Sequence, residues 1–477
     1  MSPSLSRDQQ GPGRAGRWLA PLSLAALACV AGALTTTRGV GSATSVSTQD
    51  EAVLSDSPGV HSVAPRVAVL DDGTAHVVWQ EGQPGVDAGE PLILHRFRLP
   101  GGAWSDTYEV YWDGVQPSVA TDGRAVGVTF VRNPFDRFDS AEVLYKLWDG
   151  AAVSWPDIPN AIQGELGVAG AQPDLAFDRQ GYVWLVWINS RDSDQRPYYA
   201  RILTQSREVD GAGPIDEREQ GAQGPALAMD AEDGVHVVWS TGYASGEADL
   251  SRWEWPSGGR YWVNRESALY DQVREARSPD ITTAGSALCV TWHEGSLTRP
   301  NEVILSCDRA SGNIWFGNVS QSPGSRSLLP SLAGDEQRGA MLLWFEREQA
   351  GRLVFGQVVP PAPPATSEVA AGTTGMPSLD FHNGFAYAAW VADTPQGGSE
   401  IRFARWQVDV PTPTATVSPS RAASDTPMVS PTPSRTPSTG TPPGPASPVP
   451  TVTASATDTT PGPGGRVFTP LLARPRR

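Results

Sequence analysis

The stretch DGTAHVVWQEG, Asp72 to Gly82, has a near twin in DGVHVVWSTG, Asp233 to Gly242. Both belong to a longer series in which a proline and an apolar residue lead to a tight turn and then to an apolar run closed by an aromatic. The copies are PRVAVLDDGTAHVVW (Pro65 to Trp79), PSVATDGRAVGVTF (Pro117 to Phe130), PDLAFDRQGYVWLVW (Pro173 to Trp187) and PALAMDAEDGVHVVW (Pro225 to Trp239). They continue as PDITTAGSALCVTW (Pro279 to Trp292), PSLAGDEQRGAMLLW (Pro330 to Trp344) and PSLDFHNGFAYAAW (Pro377 to Trp390). Successive prolines are 52, 56, 52, 54, 51 and 47 residues apart. A repeat near 50 residues marks a ring or solenoid in which each unit buries its apolar face against the next.

Each copy predicts a short strand after the proline, an Asp/Asn/Gly turn, and a second strand ending at the aromatic. A third strand follows a polar loop, as in PLILHRFRL, AEVLYKLW and EIRFARWQV. A weaker fourth is expected where a glycine turn leads to Trp104, Trp155, Trp262 and Trp315. Four antiparallel strands per repeat is a propeller blade, and a strand covered on both faces reads as an unbroken apolar run. The fold class is therefore all-β, a seven-bladed β-propeller over 45–410. The seventh copy lacks a fourth strand of its own, and the segment STQDEAVLSDSPGVHSVA before the first proline is placed to supply it and close the ring. Six blades is the alternative, because the outer region of the sixth unit, VVPPAPPATSEVAAG, is rich in proline.

The ends differ from this body. Arg14 and Arg17 precede an apolar run from Trp18 to Leu34, the layout of a signal peptide over 1–43, so an extracellular or cell-surface location is expected. Beyond Pro411 proline, threonine and serine dominate to residue 465, which predicts a disordered stalk, and 466–477 form a short apolar-basic tail. The chain carries a net charge of −16. Both ends are basic, so the middle is still more acidic, which argues against nucleic acid as a partner. In an oxidising compartment Cys289 and Cys307 permit a disulfide, with two separate buried thiols as the alternative. The Asp-Gly turns at Asp71 to Gly73 and Asp230 to Gly234 permit calcium, yet Asp and Gly belong at hairpin turns on conformational grounds, and no other cofactor is expected. The six histidines stand apart in sequence, with no ligand-like pair for a transition metal.

The repeated proline, the apolar run ending in tryptophan and the glycine turns before tryptophan resemble the sialidase-like BNR-repeat propellers. Their Asp-box, S-x-D-x-G-x-x-W, is approached by SCDRASGNIW, where Ser306 and Asp308 match and Gly312 falls late before Trp315. The resemblance implies the fold and, as a second possibility, a sialidase-like glycoside hydrolase. That activity would need an arginine triad and an early F-R-I-P motif, but APRVAV puts Arg66 after the proline, and the R-x-P before a blade is Arg277-Ser278-Pro279. Propeller geometry puts the residues two beyond each aromatic landmark at the channel mouth. These are Glu81, Arg132, Asn189, Thr241, Glu294, Glu346 and Ala392, the last with Asp393 beside it; Glu81, Arg132, Asn189, Glu294, Glu346 and Asp393, with Arg277, are the candidate binding rim. The first expectation is a monomeric, non-catalytic binding module for a glycan, a peptide or a surface protein, peripheral to the membrane.

Overall fold

The computed structural model describes residues 44–410 apart from 133–140, 149–154, 156–159, 162–169, 190–194, 242–248, 266–275, 296–300, 310–311, 323, 348–350 and 361–362. The proposed signal peptide, stalk and tail lie outside the described residues. Seven antiparallel sheets follow one another along the chain, so the ring has seven blades. Their inner strands are Ser62–Val69, Gly114–Thr121, Gly170–Phe177, Gln223–Met229, Arg277–Ala284, Ser327–Asp335 and Thr373–His382. The second strands carry the aromatic landmarks near their ends, and Trp79, Phe130, Trp187, Trp239, Trp292 and Trp344 are fully buried. One apolar layer lies between each pair of neighbouring blades, so every repeat is completed by the next.

Closure follows the expectation. Gln49–Val53 pairs antiparallel with Ser399–Gln407 and becomes the outer strand of blade seven. An ion pair fastens this seam: Arg98 Nη2 of blade one and Arg405 Nε of blade seven both donate to Asp50 Oδ2, at 2.7 and 2.6 Å. The Arg98 side chain is 1% exposed, and burying a guanidinium is tolerable only with such a partner. Thr44–Ser45 adds a short parallel pairing to the outer strand of blade six.

Three expectations are corrected. The outer region of blade six forms a strand, Ala365–Ala371, because its prolines precede the strand and leave its hydrogen bonds intact. The outer strands of blades one, two and four are Tyr108–Trp112, Asn160–Ala161 and Val263–Asn264, so Trp104, Trp155 and Trp262 stand outside strands. Their indoles are pegs set into the preceding blade: Trp104 meets Phe403, Trp155 meets His95 and Trp262 meets Tyr199. Finally, the inner strands begin two to four residues before the landmark proline. The residue preceding that proline is left-handed in all seven blades: Ala64, Gln116, Gln172, Gly224, Ser278, Leu329 and Met376 have φ between 47 and 57°. The strand register shifts there each time, a bulge repeated around the ring.

The bulge explains how the blades are stitched. It turns a backbone N–H away from its own sheet, and the neighbouring blade supplies an acceptor. Gln80 Oε1 takes Gln116 N at 3.2 Å, Gln116 Oε1 takes Gln172 N at 2.8 Å, and Gln172 Oε1 takes Gly224 N at 2.8 Å. A left-handed non-glycine residue costs roughly 1 to 2 kcal/mol, and each such bond returns about 1 kcal/mol. Cys289 and Cys307, directly opposed on the second and third strands of blade five, form a disulfide.

Candidate central-channel site

The inner strands line a central cavity of about 1250 Å³. The residue after each landmark proline lies in its wall, which brings Arg66, Ser118, Asp174, Ala226, Asp280, Ser331 and Ser378 to one level. Six of these seven are polar, and Asp380 lines the same cavity.

Most of them have a second task. Asp174 accepts Ser118 Oγ at 2.6 Å and the Leu227 N–H of blade four at 3.0 Å. Asp280 accepts its neighbour Ile281 N and the Leu332 N–H of blade six, both at 2.8 Å. Ser331 takes Leu379 N at 3.0 Å and Ser378 takes Val67 N at 3.1 Å, the latter across the closing seam. Asp380, two residues deeper, accepts Val69 N and Phe381 N at 2.7 Å. The inner ring is therefore sewn by side chains that accept the next blade's backbone.

Desolvation in the narrow channel raises these carboxyl groups. Asp280 is pushed up to about 7 by burial, with the nearby Asp174 adding to the rise against the Leu332 and Ile281 N–H bonds. Asp380 rises to about 6 and Asp174 also rises, both chiefly by burial. Arg66 is exposed in the channel and acts on both Asp174 and Asp280 through its charge. Arg66 Nη1 donates within its own blade, to the Pro65 carbonyl at 3.1 Å. The guanidinium thus keeps donors available to a ligand.

The residues two beyond each landmark end the second strands, but none lines the cavity. Glu81, Glu294 and Glu346 turn back onto their own indoles: Trp79, Trp292 and Trp344 donate Nε1 to them at 3.0, 3.4 and 3.2 Å. Glu346 also accepts Ser322 Oγ and Arg352 Nε, and burial raises Glu294. Asn189 is buried, with its backbone N–H on the Arg196 carbonyl. Arg132 pairs with Glu142 and Tyr111. Arg277 is exposed opposite His293 at the start of the inner strand, and Asp393 is exposed at the end of the second strand of blade seven. The signal for the wall residues was the position directly after the repeated proline.

The turn carboxylates serve the turns. Asp230 Oδ1 accepts Glu232 N and Gly234 N, and Asp72 Oδ1 accepts Thr74 N. Among the described residues no cluster of three or more His, Cys, Asp or Glu side chains could hold a metal ion. The histidines are not all apart, however: the fold brings His76 Nδ1 to 3.0 Å from His95 Nε2. Neighbouring strands accomplish what sequence spacing hid.

No family model and no curated protein sequence matches the chain. Among solved structures it is similar to a polysaccharide lyase, a PL25 ulvan lyase bound to -[GlcA(1-4)Rha3S]-, with TM-score 0.51, 10% identity and coverage of 74% of this chain and 95% of that one. Trypanosoma rangeli sialidase gives a TM-score of 0.43 at 10% identity, covering 73% of this chain and 55% of that one. The β-propeller domain of the trilobed protease of Pyrococcus furiosus gives 0.44 at 10%, covering 76% and 99%. At such identities the likeness concerns the fold. The chain folds as a seven-bladed β-propeller, and its likeness to the ulvan lyase is one of fold.

Proposed function

We propose that this chain is a non-catalytic binding module, exported and displayed at the cell surface, that takes a hydroxyl-rich ligand, a glycan, into the mouth of its central channel. The observation that carries this reading is the single level at which Arg66, Ser118, Asp174, Asp280, Ser331 and Ser378 converge on the cavity. A few placed polar groups in a concave wall are how sugars and other small ligands are held. The carboxylates there already accept backbone N–H groups, a wall-building role rather than one in proton transfer. The protein acts as a monomer, its glycan or surface-protein partner recognised without nucleic acid and without a required cofactor.

A second reading, glycoside hydrolysis, is favoured by one observation: a carboxyl group held near pH 7, as Asp280 is, suits a general acid. Both readings meet one test. The purified protein is screened on an array of neutral and acidic glycans and cell-surface polymers, with product release followed on the same samples. Retention without turnover, weakened at least tenfold in Arg66→Ala, supports binding. Turnover abolished in Asp280→Asn supports hydrolysis instead. No retention of any glycan, or retention unchanged in Arg66→Ala, rejects the channel as a glycan site.

A further inference from the structure

His76 and His95 form part of a directional chain of N–H donors. Trp155 of blade two donates Nε1–H to His95 Nδ1 at 3.1 Å. Indole nitrogen only donates, so His95 Nδ1 carries no proton and a neutral His95 is protonated at Nε2. His95 Nε2–H then donates to His76 Nδ1 at 3.0 Å, which leaves the His76 proton on Nε2. Among the described residues that last N–H is buried without an acceptor. Both rings are 1% exposed and lie nearly parallel, 5.2 Å apart. Phe97 and Tyr108 of blade one and Trp148 of blade two surround them.

The chain of donors has no room for another proton. A protonated His95 would turn Nδ1–H against the Trp155 N–H. A protonated His76 would turn Nδ1–H against the His95 N–H, and His95 could yield only by moving its proton to Nδ1, again against Trp155. Among the described residues Asp72, on the turn before His76, is the one charged group that acts on that ring. The same geometry disfavours a metal between the rings, since Trp155 fixes the His95 proton on the nitrogen a metal would need.

We propose that the relay from Trp155 through His95 to His76 is an acid-sensitive latch between blades one and two: uptake of one proton sets donor against donor and opens this seam. Burial holds His76 down at about 4 and also pushes His95 well below the ordinary imidazole range, with His76 acting on it, so the latch stays shut at neutral pH and yields in acid.

The test is a pH series on the whole protein, reading imidazole tautomers by long-range nitrogen–proton NMR and the seam by tryptophan emission. Both rings should be Nε2–H at neutral pH, and both signals should change in one step near the pH at which His76 protonates. An Nδ1–H tautomer on either ring at neutral pH overturns the proposal, as do histidines that titrate while the emission stays constant. Trp155→Phe frees His95 to switch tautomer, so the histidines should titrate about one pH unit higher without the seam opening. Should that variant fail to fold, Leu70→Asp supplies the acceptor that His76 Nε2 lacks. It should raise the midpoint by about one unit and keep the two signals coupled; a midpoint unmoved there overturns the proposal.

Discussion

The twin strands Ala75–Glu81 and Val235–Thr241 share the sequence His-Val-Val-Trp and live in different surroundings. Their valines and tryptophans are equally buried, because the propeller frame is the same in both blades. In blade four His236 Nε2 meets Asp230 at 2.9 Å. In blade one the residue six before His76 is Leu70, so its Nε2–H is left without an acceptor among the described residues and its other nitrogen turns to His95. The tryptophans differ likewise: Glu81 accepts the indole N–H of Trp79, whereas Thr241 stands two beyond Trp239 and that N–H has no partner among the described residues. A repeat thus copies its apolar frame, while the histidine and the indole of this strand each depend on one residue that differs between copies.

The largest break in this comparison is expected where the capping carboxylate carries most. Glu346, 1% exposed, holds the Trp344 indole, Ser322 and Arg352. Glu346→Ala takes the acceptor from all three and should cost about 3 kcal/mol in denaturant unfolding. Glu81→Ala should cost about 2 kcal/mol, and Thr241→Ala, with no indole to release, no more than about 0.5 kcal/mol. Equal losses at all three positions would erase the distinction between capped and uncapped blades.

Acid should separate the twins next. His76 and His95 have folded pKa values below the unfolded value near 6.5, so the unfolded chain takes up protons first. Their stabilisation is whole above pH 6.5 and is lost as the pH falls towards 4, by about 3 kcal/mol for His76. His293 adds a loss of the same sign. Asp280 and Asp380 act oppositely: their folded pKa values are raised, so the stability they contribute grows as the pH falls through 7 and 6 towards the ordinary carboxylate range. Hydrogen exchange corrected for pH should therefore open Ala75–Glu81 and Leu92–Arg98 before Val235–Thr241, where His236 is partnered by Asp230. Simultaneous opening would contradict this order. The smallest effect is a gain: Thr241→Glu should hand Trp239 the missing acceptor and add about 1 kcal/mol.

Much of the ring was legible because its cause is local. A proline, a turn and an apolar run repeat within each copy, so the period, the blade count and the closure by Gln49–Val53 follow from reading along the chain. The channel wall was not legible in the same way. Asp174 meets Leu227 and Asp280 meets Leu332 across blades, some 50 residues away, and no local pattern announces such a partner. The bulge was hidden because residues as different as Ala64, Leu329 and Met376 adopt it. The glutamates after Trp79, Trp292 and Trp344 were visible, but a carboxylate beside a strand end reads as rim until the indole beneath it is seen. The prolines ahead of Ala365 suggested a missing strand when they only delay it.

The clasp at Asp50 sets an order on how the molecule is made. Gln49–Val53 emerges early in synthesis, yet its partner Ser399–Gln407 follows about 350 residues later, a wait of about 20 to 70 seconds at ordinary elongation rates. Throughout that interval the first blades are an open arc whose leading strand has nothing to join and whose Arg98 lacks its carboxylate unless Asp50 finds it early. The clasp is consequently a product of the late chain: a copy halted before Ser399 holds most of the blades but neither the strand that pairs with Gln49–Val53 nor the Arg405 that shares Asp50.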